Sequence, residues 1–187
     1  MEEPTTSPDE GIVYRAALPL AWKRVSAMPS AEIEAQVNEA NNSLLAMFGV
    51  LDERAAEVKG TEPEVIQAIG RLDTKINLVL DLVGELLRRQ LSFPKAVPCI
   101  LSEQGLSWVA HAEQAPQVGD LVRMDVYLKT SYPRPLRCWA EVITSVPEGQ
   151  GVKIAAHFRA MADDVRDGLS KLIFRHHRRL IASQRMG

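Results

Sequence analysis

The stretch 61-TEPEVIQAIGRLDTKINLVLDLVGELLRRQL-91 decides how the rest of this 187-residue chain is read. Val65, Ile69, Leu72, Ile76, Val79, Val83 and Leu86 recur at alternating steps of three and four. That spacing is a heptad seam, with Ile69, Ile76 and Val83 at a and Val65, Leu72, Val79 and Leu86 at d. Thr61 and Glu64 form a T-x-x-E capping box, and Pro63 is harmless in the first turn. Pro94 drives Phe93 towards an extended backbone, so the helix ends near Leu91. A helix of about 30 residues is roughly 45 Å long, too long for one small core. It implies a partner helix, a partner chain, or both.

Upstream lies a second periodic segment. Ser30 is a good N-cap, and Glu32 and Glu34 suit the positive end of a helix dipole. Ile33, Val37, Ala40, Leu44, Met47, Leu51 and Val58 follow the three-four rule, widened by Leu45 and Phe48. Gly60 supplies a C-cap, and the second helix restarts at once, which predicts an antiparallel hairpin. On the second helix Ile66, Leu80, Leu82 and Leu87 flank the seam, so its apolar face is wider than one partner helix covers. Burying a Leu or Ile is worth about 1.5–3 kcal/mol, and self-association is the simplest way to gain it. The broad face favours a bundle of four or more helices. The competing expectation is that the chain's own other half covers the stripe.

Around this pair the pattern changes. Residues 1–11 are polar and acidic and are expected to form a mobile tail. Ile12 to Val25 contains strand formers with Pro19 in their midst, which predicts an edge or bulged strand. After Pro94 the period becomes two. Ala96–Leu101 and Leu106–His111 flank a hairpin-like turn at Ser102-Glu103-Gln104-Gly105. Leu121–Lys129 directs Val122, Met124, Val126 and Leu128 inward, and Leu136–Val146 does so with Leu136, Cys138, Ala140 and Val142. Val152, Ile154, Ala156 and Phe158 mark a last strand. Short strands between Gly/Pro turns predict a small antiparallel barrel or sandwich. Asp163 or Asp164 then caps a final helix with Val165, Leu169, Leu172, Ile173, Leu180 and Ile181 as its stripe. Arg175, Arg178, Arg179 and Arg185 form its basic face.

Composition narrows the function classes. A hydrophobic content of 46% supports a real core, and 5% aromatics favours an aliphatic one. A net charge of −2 gives no overall field towards nucleic acid or anionic lipid. Cys99 and Cys138 fall in strands without metal spacing and are expected to be buried, reduced thiols. The N-terminus carries no signal-peptide pattern, and Asn77, Asp81 and Gly84 interrupt the longest apolar run, so the chain reads as cytoplasmic, with no membrane span. No catalytic motif is complete, and no metal or cofactor is expected. His176 and His177 point about 100° apart on a helix and cannot share a metal from one face. Arg175 to Arg179 offer a polyanion site, but cations at a helix C-terminus are also favoured by its dipole.

The β half with its closing helix resembles a PilZ domain, the bacterial module that typically binds cyclic di-GMP. The resemblance covers roughly Lys95 to Ala182 plus the N-terminal strand, and it centres on Ile100-Leu101-Ser102-Glu103-Gln104-Gly105-Leu106. Against the family pattern D/N-x-S-x-x-G, Ser102 and Gly105 match, whereas Ile100 replaces the Asp or Asn. An isoleucine accepts no hydrogen bond from a guanine edge, and unpaired donors in a site cost about 1–3 kcal/mol. The family's R-x-x-x-R motif is incomplete: Arg88 is followed by Ser92, Arg89 by Phe93 and Arg15 by Pro19. Only one strand fits between the long helix and Ser102, so residues 12–25 are expected to supply the missing strand, with the helices inserted after it. That arrangement resembles the atypical, oligomeric PilZ proteins and implies a homotetramer.

The sequence therefore predicts an α+β protein: a PilZ-like barrel from 12–25 plus 94–160, a helical hairpin at 30–91 and a C-terminal helix at 161–185. The expected interface comprises Val65, Ile69, Leu72, Ile76, Val79, Leu80, Val83, Leu86 and Leu87. The expected function is a non-enzymatic signalling adaptor acting through protein partners, with cyclic di-GMP binding weak or lost. Its first alternative is a working cyclic di-GMP receptor using Ser102, Gly105, Arg15, Arg88 and Arg89. Polyanion binding by the last helix is the second.

Overall fold

The structure, a computed structural model, describes residues 8, 11–52, 63–90, 93–129, 132 and 134–184. The strands are β1 (Tyr14–Val25), β2 (Ala96–Leu101), β3 (Gly105–His111), β4 (Leu121–Val126), β5 (Leu136–Glu148) and β6 (Gly151–Arg159). The helices are α1 (Ala31–Asp52), α2 (Pro63–Gln90) and α3 (Asp163–Gln184), with a short 3-10 turn at Ala112–Gln114. The strands close into an antiparallel barrel in the order β1-β2-β3-β6-β5-β4. Closure removes the exposed edges that an open sheet would have to protect.

Period-two patterning fills the barrel as expected. Leu101, Leu106, Val122, Met124, Val126, Leu136, Cys138, Ala140, Val142, Ile154 and Ala156 are buried, while Arg123 and Asp125 alternate outward. Cys99 and Cys138 are free thiols within this core. Burial pushes the Cys99 thiol up to about 12 and raises that of Cys138 as well. Outside the barrel, the cross-strand pair Asp125 and Arg137 forms a two-pronged ion pair, Nε to Oδ1 at 2.6 Å and Nη2 to Oδ2 at 3.1 Å.

β1 corrects the edge-strand expectation. It is an interior member of the closed barrel, pairing with β2 through Pro19 and with β4 from Leu20 onward. Pro19 sits at the changeover between partners. Its carbonyl accepts from the Tyr127 N–H at 3.0 Å, and the Leu20 N–H reaches the Lys95 carbonyl at 3.4 Å. A residue without an N–H is tolerated where one ladder stops and the next begins.

α1 starts where Ser30 predicts, with Ser30 Oγ accepting from the Ile33 N–H at 3.5 Å. Its buried line differs from the apolar periodicity. Asn41, Leu44, Leu45 and Phe48 are buried, whereas Ile33 is exposed. This face packs on α3 and β5. Polar residues hold it there: Asn38 Nδ2 donates to the Ala160 carbonyl at 3.0 Å, and Asn38 Oδ1 accepts from the Ala162 N–H at 3.1 Å. Asn42 Nδ2 donates to Asp164 Oδ2 at 2.8 Å. Ala160 has a φ of +54°, the left-handed bend that turns β6 into α3.

The α3 stripe is buried at Val165, Leu169, Leu172 and Ile173, but Ile181 is exposed and corrects the predicted pattern. α3 lies chiefly on α1 and touches β1 near its start. There the His176 ring sits 3.9 Å from that of Tyr14. The Gly60 cap, Thr61, and the side chains of Glu64, Leu51, Leu87, Arg88, Arg89, Leu180 and Arg185 lie outside the described residues, as do residues 1–7. Pro8, within the expected tail, is buried. No helix among the described residues is long and apolar enough to cross a membrane.

Candidate functional site

The motif Ile100–Leu106 forms the β2–β3 hairpin. Ser102 and Gly105 both have structural work in it. Ser102 Oγ accepts from the Gln104 N–H at 3.2 Å and the Gly105 N–H at 3.1 Å, while the Ser102 N–H donates to the Gly105 carbonyl at 2.9 Å. A hydroxyl that receives its own downstream amides is a side-chain-closed turn, the usual work of serine at such a bend. The hairpin is also tied to its surroundings. Phe158 N–H donates to the Gln104 carbonyl at 2.8 Å, and Arg166 Nη1 in α3 donates to the Glu103 carbonyl at 2.7 Å. At Gly105 a Cβ would collide with the Ala156 carbonyl oxygen and come 3.1 Å from Pro8 Cγ. The glycine is required by close packing.

Beside the hairpin, β1, β2 and β3 carry Arg15, Ile100 and Ser107 in one cross-strand row. This row lies in a cleft of about 460 Å³ lined also by Ala17, Pro98, Val109, Glu148 and Lys153. Arg15 is exposed. Ser107 is 1% exposed, and its Oγ has no hydrogen-bond partner among the described residues. The arrangement joins two cations, the Glu148 carboxylate and a buried hydroxyl to an apolar floor. It can take an anionic ligand with some apolar surface.

Sequence reasoning found Arg15, Ser102 and Gly105, and the fold brings them to one side of the barrel. It missed Ser107, Val109 and Lys153, although the outward phase of the period-two pattern that carries Ile100 and Pro98 also carries Ser107 and Val109. Arg88 and Arg89 belong to the last turn of α2, and their side chains are outside the described residues. The basic face expected on α3 is divided. Arg175 is half-buried against α1, its Nη1 3.7 Å from the position of a Cβ on Gly49. Arg178 lies over the exposed Phe174 ring, 6.0 Å from its centroid.

α2 presents the second candidate surface. Leu72, Ile76 and Val83 are 58%, 54% and 46% exposed, and Val65, Ile69, Val79 and Leu86 are exposed beside them. Leu80 is half-buried. Leu78 and Leu82 extend the exposed apolar surface. Together these residues form an exposed apolar stripe along α2.

A closed six-stranded barrel, helices inserted between its first two strands and a closing helix are thus in place. A family model described as "Atypical PilZ domain, cyclic di-GMP receptor" matches residues 44–186. The chain belongs to the atypical PilZ domain family. β1 precedes the matched residues, yet this PilZ barrel closes through it. Among solved structures, the chain is similar to a pathogenic protein from Xanthomonas campestris described as a new tetrameric PilZ domain self-assembled via an unusual helical bundle. The two share 24% identity over 91% of each chain, with a TM-score of 0.66. The Bacillus subtilis inhibitor of motility also matches, at 17% identity over 44% of this chain and 41% of that one, with a TM-score of 0.38. No curated protein matches this PilZ chain in sequence.

Proposed function

We propose that this chain is a non-enzymatic PilZ-type signalling adaptor of bacterial cyclic di-GMP networks, self-associating through α2 and binding cyclic di-GMP weakly or not at all. In this reading 12–25 plus 94–160 form the display module, 30–91 the oligomerisation insert and 161–185 the helix that locks them together. The observation that carries it is the state of the motif. Ser102 and Gly105 are engaged in building the hairpin, and Ile100 stands where a guanine-binding carboxylate or amide is needed. Two matches explained by turn geometry leave no specific nucleotide contact in the motif.

Self-association is supported by the exposed seam from Val65 to Leu86. The tetramer of the Xanthomonas relative supports the same reading and suggests four copies. Several barrels on one bundle would gain avidity for a multivalent protein partner.

A second reading is a cyclic di-GMP receptor with non-standard cations, favoured by the cleft that places Arg15 and Lys153 beside Ile100. Calorimetric titration with cyclic di-GMP, paired with light scattering, separates the two. The adaptor reading expects a mass that is a multiple of 20.7 kDa, unchanged by the nucleotide, and no micromolar binding. Micromolar binding abolished by Arg15→Ala or by Arg88→Ala with Arg89→Ala would instead establish the receptor.

A further inference from the structure

Helices α1 and α3 lie side by side and run in the same direction. Asn38 bonds to Ala160 and Ala162, Asn42 to Asp164, and Leu45 packs against the position of a Cβ on Gly168. The groove between the two helices has a volume of about 330 Å³, and Leu45, Ala46, Gly49 and Gly168 contribute its small or apolar walls. Along the rim, α3 carries its charge in two blocks. Asp163, Asp164 and Asp167 stand at its start, and no Asp or Glu follows from residue 168 to 187. Lys171 and Arg178 are exposed in the second block, and between them Phe174 is 48% exposed. On α1, Glu39 is exposed next to Asn38, at the acidic end. Asn42 holds Asp164, Arg175 is half-buried in the groove, and Arg166 reaches the Glu103 carbonyl. One surface therefore carries an aromatic knob, a groove with small walls, and opposite charges at its two ends.

We propose that this surface binds a second copy of the chain: two α3 helices pack antiparallel about a twofold axis at the level of Leu169, each seating Phe174 in the other's groove. A twofold contact requires one patch to be its own complement, and the charges meet that requirement. Asp167 and Lys171 each lie two residues from Leu169, so each faces the other's counterpart across the axis. Arg178, nine residues from the centre, comes level with position 160 of the other copy. Asn38 bonds to the Ala160 carbonyl at that level, and the exposed Glu39 stands beside it. Phe174, five residues from the centre, comes level with position 164, where Asn42, Ala46 and Gly168 leave room for a ring. A parallel pair would set Asp167 on Asp167 and Lys171 on Lys171, and like charges opposed across an interface are costly. The patch covers about four helical turns, at the small end of specific interfaces, so the pair is weak, with a Kd of about 0.1 mM, and dilute samples hold no such pairs. It uses no residue of the α2 seam, so either surface can fail without the other.

The test is sedimentation equilibrium of the full chain at about 0.5 mM, in an Ile76→Asp, Val83→Asp background that disables the α2 seam. This parent is expected to pair. Glu39→Lys with Asp167→Lys makes both ends of the patch basic, and Lys171→Glu with Arg178→Glu makes both ends acidic; all four residues are exposed. Each charge variant alone should pair at least tenfold more weakly than the parent, and their equimolar mixture should recover the parent's affinity. Phe174→Ser in both variants should weaken the mixture about tenfold, which separates a seated ring from general attraction between oppositely charged chains. Should a charge variant fold poorly, Phe174→Ser in the parent alone is the second measurement, and it should abolish pairing at this concentration. A parent that sediments as single chains would overturn the proposal. So would a mixture that stays as single chains, or pairing that Phe174→Ser leaves unchanged.

Discussion

Asn41 completes a ladder that the chain itself abandons: its Nδ2 donates to the Arg137 carbonyl at 2.6 Å, and its Oδ1 accepts from the Arg137 N–H at 3.1 Å. The β5–β6 ladder ends at the pair Trp139 and Arg159, after which the chain bends at Ala160. Two residues along β5, Arg137 faces Asp125 of β4 on one side but has no β6 residue opposite it on the other. The side-chain amide of α1 takes that place, with the donor and acceptor of a peptide group. The inserted helix is thereby held to the barrel by backbone-type hydrogen bonds as well as by Leu44, Leu45 and Phe48.

Replacing Asn41 by Leu should therefore destabilise more than its size suggests. Asn41 is 3% exposed, so the Arg137 N–H and carbonyl would lose their partners in a largely dry contact. The expected loss is about 2–4 kcal/mol in urea denaturation, with Asn41→Asp between the two because it keeps only the acceptor. A loss under about 1 kcal/mol would show that the two Arg137 groups find other partners.

Ser102→Ala and Gly105→Ala test whether the family motif is structural in this chain. The serine variant leaves the Gln104 and Gly105 amides without their acceptor, a cost of about 1–2 kcal/mol. The alanine at position 105 meets the Ala156 carbonyl and should cost about 1–3 kcal/mol or more. Both are expected to lower the melting temperature. Wild-type stability in either variant, with a changed nucleotide titration, would return the motif to a binding role.

On α2, Ile76→Asp and Val83→Asp should each reduce the particle to a single chain of 20.7 kDa in light scattering. The barrel's tryptophan fluorescence should stay unchanged, because neither residue contributes to the buried core. Each substitution places a charge in a seam whose assembly would otherwise bury apolar side chains worth about 1.5–3 kcal/mol apiece. A wild type that already scatters as one chain would refute the assembly.

His176 predicts a pH dependence. Burial, then Arg179 and His177, hold its pKa below the ordinary 6.5, while Tyr14 packs on its ring. The folded state thus binds fewer protons than the unfolded one over this interval, and stability rises with pH there. The contribution is complete above about 6.5 and is lost as pH falls through the unfolded value towards the lower folded one. Urea midpoints should decline on acidification across this window, and His176→Phe should flatten the decline. An unchanged slope in that variant would assign the dependence to another group.

The strands were legible because a half-buried strand writes its period directly into side-chain hydrophobicity: Val122, Met124 and Val126 face in, and Arg123 and Asp125 face out. The heptad seam of α2 was legible for the same reason at a different period. The inward face of α1 was misread at Ile33 because apolar periodicity cannot register the half-buried Asn38 and the buried Asn41, held by hydrogen bonds to groups 96 to 124 residues away. Pro19 misled in the same way, since nothing local to it reveals that its strand changes partners there. In the candidate site, Ser102 and Gly105 could be named but their turn could not be distinguished from a ligand contact. The period-two pattern puts Ser107 on the outward face but carries no sign that Arg15 and Ile100 lie beside it there.

By itself, the sequence determined which segments are helix and strand, which strand residues face the core, and that α2 carries an apolar stripe beyond the needs of one small domain. These are short-range consequences of periodicity and capping. Only the tertiary structure decided that β1 changes partners at Pro19, that Asn41 continues the ladder where β6 ends, and that Arg15, Ile100 and Ser107 share one cleft. Each of those depends on segments that meet only once the barrel is shut. The reason is physical: a hydrogen bond or a cleft is formed by groups close in space, whatever their separation along the chain.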